Sequence, residues 1–323
     1  MKKSNIDLPV LIIFFARPST LEKVFEEVKK ARPSKLFLAC DGPRNEKDLK
    51  KINECKEIVK NIDWECEVHT NYSEENKGCG KGPSDAVSWA FSFVDRLVIL
   101  EDDCVPHSGF FQYMYEMLEY YNNDLRIVVI AGFNHFLNWD CGKYSYFFTK
   151  NGPMAGAWGT WKRVWEDYKY DVSAISDPLI ENLVYNDILL PRAKKQKIEL
   201  WKQTEKKVKN NENISYWDVQ FGFLKYYMSY LTIVPKFSLV SNIGLGEDST
   251  HALNAQNSMP SIFFSKDNNF EFPIIHTPFV ICDHKYDITV DNAWGYPSFF
   301  RKYKGKLTRG VRKIIKHVFK REN

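Results

Sequence analysis

No C-x-x-C pair occurs among the seven cysteines at 40, 55, 66, 79, 104, 141 and 282. Their odd number and scattered spacing speak against a disulfide framework or a cysteine-built zinc site and favour a reducing compartment. The chain also lacks a hydrophobic run long enough to cross a bilayer. The first apolar run, Leu8 to Ala16, is far shorter than the roughly 20 residues a spanning helix needs. Arg17-Pro18 follows it rather than a small-residue cleavage site, so the run reads as a buried strand and not as a leader. Internal repeats and low-complexity linkers are absent too. The sequence therefore divides only into 1–135, 136–300 and a basic tail, 301–323, rather than into independent domains.

What is present is ordinary for a globular protein: 323 residues, 44% hydrophobic and 27% charged. Aromatic residues reach 15% and are dense in the central third. The net charge of +4 conceals an asymmetry. Residues 301–323 hold ten Lys or Arg against Glu322 alone, a local +9 that leaves the first 300 residues at −5. With an acidic body and no nucleic-acid motif, nucleic acid is not expected as a partner.

Short apolar or β-rich runs at Val10–Ala16, Leu36–Cys40, Glu65–Thr70, Leu97–Leu100 and Ile127–Ala131 alternate with helical patterns. Leu21, Val24, Phe25 and Val28 form one helical face, with Ser19 as its expected cap. Ala86, Val87, Ala90, Phe91 and Val94 form another. Strands alternating with helices imply an α/β fold whose mostly parallel sheet is covered on both faces, with ligands held beyond the carboxyl ends of the strands. Further on, 176–213 reads as helical and very polar after Pro191, an exposed helix or excursion. An apolar helix begins near Ser215, and Ser238–Gly244 resembles a strand.

Glu101-Asp102-Asp103 directly follows the strand Leu97–Leu100. Three adjacent carboxylates repel one another, and a divalent cation that also holds a diphosphate would compensate them; a solvated acidic turn is the plainer alternative. Arg17 and Asp41 end two other strands. An arginine offers a donor fork for a phosphate or a base carbonyl, and an aspartate accepts from a ribose or uracil N–H. Asp41-Gly42-Pro43 is also a turn signal. Tyr216-Trp217-Asp218 opens the later helix, where Asp218 could act as a base or simply complement the helix dipole. Asn242 to His251 is a Gly-rich loop with Ser249 and His251, of a kind that closes over phosphates. Asn151–Gly159 carries small residues before Trp158, which is either a stacking face or core. Gly80-Lys81 does not complete a phosphate loop: Glu75 and Gly82 stand where Gly and Ser/Thr are required, so 76–84 reads as a loop before the helix.

Leu97 to Phe111, with Ile99-Leu100-Glu101-Asp102-Asp103-Cys104 and Phe110-Phe111, resembles the metal motif of GT-A glycosyltransferases. The nearest resemblance is to the N-acetylglucosaminyltransferases that initiate complex N-glycans and to a bacterial group of predicted glycosyltransferases. It runs from Val10 to about His251 and is best over Arg17–Gly42. The resemblance implies a GT-A, Rossmann-like sheet with a C-terminal acceptor-side region, and an inverting transfer from a UDP-sugar with Mn²⁺ or Mg²⁺. Asp103 would bind the metal directly, while Glu101 and Asp102 would bind sugar hydroxyls and support the metal through water. Arg17 would contact the nucleotide, Asp41 the uridine, and Trp158 the sugar, while the Trp217 indole beside Asp218 offers a face that can pack on the sugar ring. Ser249 or His251 would reach the phosphates, and Asp218 would be the base. The animal enzymes place a nucleotide-contacting histidine near 76–84; this chain has none there.

In the tail, Leu307, Val311, Ile314, Ile315 and Val318 share one helical face opposite Arg309, Arg312, Lys313, Lys316 and Lys320. This pattern fits an interfacial helix on anionic lipid, or a terminal helix packed on the body. The expected setting is cytoplasmic, peripheral on the inner face of the membrane, near a glycan or lipid-linked acceptor. Two other readings stand beside this one: a nucleotidyltransferase making sugar nucleotides, and a non-catalytic, membrane-associated protein that binds sugar nucleotides or glycans.

Overall fold

The computed structural model describes residues 1–154, 156–244 and 270–294. Ser249, His251 and the tail 301–323 lie outside them. No helix among the described residues is long and apolar enough to cross a membrane.

The chain opens with three strand–helix repeats and a fourth strand: β1 (Ile6–Phe14), α1 (Pro18–Ala31), β2 (Pro33–Cys40), α2 (Glu46–Val59), β3 (Glu67–Tyr72), α3 (Gly78–Ala90) and β4 (Arg96–Glu101). Next come β5 (Cys104–Pro106), α4 (Phe110–Tyr120), β6 (Ile127–Ala131), β7 (Tyr146–Thr149), β8 (Ala157–Trp161) and α5 (Lys162–Trp165). The remainder is α6 (Pro178–Asp187), α7 (Pro191–Lys209), α8 (Asp218–Tyr227), β9 (Leu231–Pro235), β10 (Val240–Asn242) and α9 (His284–Trp294).

Eight strands form one sheet in the order β3-β2-β1-β4-β8-β6-β9-β7. β1, β2, β3 and β4 are parallel, while β8 is antiparallel to both β4 and β6. β9 continues parallel to β6 and β7 closes the edge antiparallel to β9, so six of the eight strands run the same way. This is the Rossmann-like, mostly parallel layout that the alternating pattern implies. α1 and α2 pack together, and because parallel crossovers are right-handed as a rule, the reversed return from β3 to β4 sends α3 to the opposite face.

β1 is buried on both sides, which is why its apolar run is unbroken: Leu8, Val10, Leu11, Ile12 and Phe14 are all covered. Leu21, Val24, Phe25 and Val28 of α1 are buried as their spacing requires. Ser19 is not the cap, however. Pro18 takes the first helical position, its missing N–H being no loss there, and Arg17 is the boundary residue. The stretch 78–84 also differs from expectation, because it is already the first turns of α3 rather than a loop. Residues 191–209 form a regular helix anchored by buried Ala193, Ile198 and Trp201, not a loose excursion. With α6 and α8 they build a smaller second core that includes Val184, Phe223 and Tyr226.

Candidate active site

Strand order reverses between β1 and β4, since β2 lies on one side of β1 and β4 on the other. Connections leaving adjacent strands in opposite directions open a crevice at their carboxyl ends. A cleft of 630 Å³ occupies that place, and Arg17, Asp41, Glu101, Asp102, Asp103 and Asp218 all line it. Chain segments as far apart as Arg17 and Asp218 thus converge on one concavity.

The acidic turn is held from several sides. Phe15 donates its backbone N–H to Asp102 Oδ2 at 2.7 Å. Arg17 Nη1 donates to Asp103 Oδ2 at 3.0 Å and lies 3.4 Å from Asp102 Oδ1. Asp103 Oδ1 accepts from Cys104 Sγ at 3.1 Å and from Asn242 Nδ2 at 3.3 Å. Glu101 Oε1 accepts the backbone N–H of Gly156 at 3.0 Å. The antiparallel pair of β5 with β10 brings Asn242 to this spot, and Ile243 N donates to the Asp103 carbonyl at 2.8 Å. Gly244 then passes so close that a Cβ there would sit 2.0 Å from Asp103 Oδ2.

Charge at the acidic turn is unbalanced. Burial, then the charge of Asp103, pushes the Glu101 and Asp102 carboxyls upward; Asp218 adds to the effect on Glu101, and Arg17 opposes it at Asp102. Burial works against the Arg17 guanidinium, yet Asp102, Asp103 and Glu101 more than offset it and raise its pKa. One guanidinium faces three clustered carboxylates, with a fourth on α8. An oxygen-only donor set of this kind suits a hard divalent cation such as Mn²⁺ or Mg²⁺.

Asp218 is the first residue of α8, half-buried and facing the cleft. Trp217, at the helix boundary, stacks on Trp158 with ring centroids 5.4 Å apart, and its carbonyl accepts from Tyr168 Oη at 3.2 Å. Trp158 itself is fully buried among Trp165, Trp217 and Phe221, so its faces are taken by protein and are not offered to a sugar. Similarly, none of the described residues between 151 and 159 lines the cleft. Their small side chains serve protein packing instead. A Cβ on Gly156 would lie 2.7 Å from Cys104 Sγ, and one on Gly152 would lie 2.5 Å from Thr232.

Asp41 is also engaged differently from expectation. Its carboxylate accepts backbone N–H groups of Gly42 at 3.0 Å, Lys77 at 2.8 Å and Gly78 at 2.8 Å. It thereby caps the start of α3, a helix with no cap of its own, and any nucleotide contact would have to share it.

A basic rim escaped the sequence reading. Arg44, just before α2, and Lys47 and Lys51 in its first turns line the same cleft. Arg44 is held by Asp48 at 2.7 Å and lies over the Phe15 ring at 4.9 Å. Lys47 and Lys51, at i, i+4 spacing, share one face of α2, and Arg44 stands just before its cap Asn45; that pairing was the available signal.

No protein-family model matches the chain, and no curated protein matches it. Among solved structures it is similar to a UDP-glucose pyrophosphorylase complexed with UDP-glucose, at 8% identity over 50% of this chain and 78% of that one, with a TM-score of 0.30. A 4-diphosphocytidyl-2C-methyl-D-erythritol synthase from Anaerococcus prevotii is similar at 10% identity over 50% and 76%, TM-score 0.30. Mouse xyloside xylosyltransferase 1, in its apo form, is similar at 12% identity over 70% and 84%, TM-score 0.34. Likenesses this distant carry no argument about activity.

Proposed function

We propose that this protein is a metal-dependent, inverting glycosyltransferase. In this reading it moves a sugar from a nucleotide-diphosphate donor, a UDP-sugar, to a hydroxyl of a glycan or lipid-linked acceptor. The observation that carries the proposal is the cluster of three carboxylates at the strand-order reversal, two of them paired with one guanidinium, with Asp218 on a helix lining the same cleft. Residues 1–135 would carry the donor and 136–300 the acceptor side.

Asp103 would hold the ion, with Asp102 and Glu101 behind it. A divalent ion, when bound, supplies positive charge against the departing diphosphate. Arg17 would turn from Asp103 toward the phosphates, and the rim of Arg44, Lys47 and Lys51 would complement the nucleotide's charge. Asp218 would take the proton of the acceptor hydroxyl as that oxygen attacks the anomeric carbon and the bond to the diphosphate breaks. Trp217, locked against Trp158, would keep Asp218 in place.

A thermal-shift screen of nucleotide sugars with and without Mn²⁺ tests the reading, because a ligand that binds only the native state raises its melting temperature. The expected result is stabilisation that needs nucleotide and metal together, followed by slow donor hydrolysis lost in Asp103→Asn. The absence of any metal-dependent shift across UDP-, GDP- and CDP-sugars would overturn it.

A further inference from the structure

A second group of metal-binding side chains stands apart from the cleft. Cys282, His284 and Asp287 each offer one ligand atom, and these three atoms all lie within 4.8 Å of one another. The C-x-H-x-x-D spacing arises where the chain meets α9: His284 is the first residue of the helix and Asp287 is one turn on. Cysteine pair spacing could not point here, because only one ligand is a cysteine.

The three residues are not loosely gathered. Cys282 forms a parallel bridge with Phe148 of β7, which fixes its backbone against the sheet edge. Asp287 is buried, and its Oδ1 accepts from Thr149 Oγ1 and from the backbone N–H of Asn151 at 2.9 Å. Those bonds orient the carboxylate, while Oδ2 accepts from Cys282 Sγ at 3.1 Å and, more weakly, from the backbone N–H of Lys150 at 3.4 Å. A ligating carboxylate held on its other oxygen by outer partners is the usual arrangement at protein metal sites. His284 is exposed, and its ring makes no hydrogen bond among the described residues, so it can swing onto the ion from the solvent side.

We propose that Cys282, His284 and Asp287 bind a single Zn²⁺-class transition-metal ion, with water in the fourth position. A mixed sulfur, nitrogen and oxygen set suits such an ion and disfavours Mg²⁺ or Mn²⁺, which prefer oxygen. The thiol proton now donated to Asp287 leaves to solvent as the ion takes its place. The bound ion joins α9 to the end of β7 and to the turn at 149–151. It is a fastening site, chemically and spatially distinct from the oxygen-lined cleft.

Cobalt(II) titration of the full-length protein tests this. The expected result is one sulfur-bound Co²⁺ per chain, marked by a near-ultraviolet sulfur-to-cobalt charge-transfer band and displaced by stoichiometric Zn²⁺. Cys282→Ser should lose the band and His284→Ala should weaken Co²⁺ binding about 10-fold or more. Cys79→Ser, which removes an exposed thiol, should leave both unchanged. Asp103→Asn should keep the band, which separates this site from the cleft whatever the outcome there. The proposal falls if wild type shows no band, or if the band survives Cys282→Ser. Should Cys282→Ser fail to fold, His284→Ala decides: undiminished Co²⁺ affinity in that exposed-residue variant overturns the assignment.

Discussion

Arg17 Nη1 lies 3.0 Å from Asp103 Oδ2 and 3.4 Å from Asp102 Oδ1, so two carboxylates share one guanidinium edge. A cation arriving at Asp103 must compete with that edge, and an incoming diphosphate gives the displaced arginine a new partner. Metal and donor should therefore bind better together than separately.

Asp103→Asn follows directly. An amide oxygen offsets the desolvation of a divalent ion poorly. Metal-dependent UDP-sugar affinity should fall by more than the roughly 10–100-fold typical of losing an outer partner. Calorimetry in Mn²⁺ checks it, and unchanged affinity would remove Asp103 from the metal.

Asp218→Asn should spare donor binding and lower turnover by about 10²-fold or more, the scale of a lost general base. Steady-state kinetics beside a donor titration separates the two effects. Turnover near wild type would send the base elsewhere.

Gly156→Ala should destabilise the fold by about 1–3 kcal/mol, because Gly156 has φ 89° and its new Cβ would press on Cys104 Sγ. Urea denaturation measures it. Since Gly156 N also donates to Glu101, donor binding should weaken in parallel.

Lys225 provides a pH test. Only 3% exposed, it donates to the Gly152 carbonyl and to Thr232 Oγ1. Burial brings its pKa down to about 7, against the partial opposition of Asp287. Between about 7 and the ordinary lysine value near 10.5, the unfolded chain holds a proton that the native state has released. Stability contributed at this site therefore rises with pH across that window. The stability of wild type relative to Lys225→Met should climb from pH 7 to pH 10 in denaturant titrations; a flat difference would show that the native lysine stays charged.

For the tail, removing residues 299–323 should abolish co-sedimentation with anionic vesicles and leave transfer to a small soluble acceptor intact. Each basic residue at an anionic surface contributes roughly 1 kcal/mol before screening, and 301–323 holds ten. Equal sedimentation of both forms would rule out membrane docking through this segment.

The sheet was legible where burial is two-sided. β1 and β6 read as strands because every residue in their cores is apolar, and α1 read correctly because its buried face repeats at helical spacing. β3 slipped by two residues: at the sheet's edge its side chains are mostly exposed, so no apolar pattern marks its ends. The start of α3 was hidden for another reason. Gly78, Gly80, Gly82 and Pro83 look like a loop, and the group that caps them, Asp41, sits 37 residues away in sequence from Gly78. Trp158 misled because an aromatic residue beside glycines reads equally as platform or as core. Only the stacking of Trp217 on it, across the fold, decides the question.

The partners of the acidic turn also bear on how the protein is made. β4 ends in Glu101 and β5 begins at Cys104, yet the antiparallel neighbours of these strands are β8 at 157–161 and β10 at 240–242. A chain emerging from the ribosome therefore exposes its carboxylates long before the backbone that fixes them exists. Until residue 161 appears, β4 is a bare sheet margin open to mispairing. Contacts this distant in sequence close slowly. Fragments ending near residue 135 should thus aggregate rather than serve as a minimal nucleotide-binding unit, and expression trials should keep the chain intact at least through Asn242.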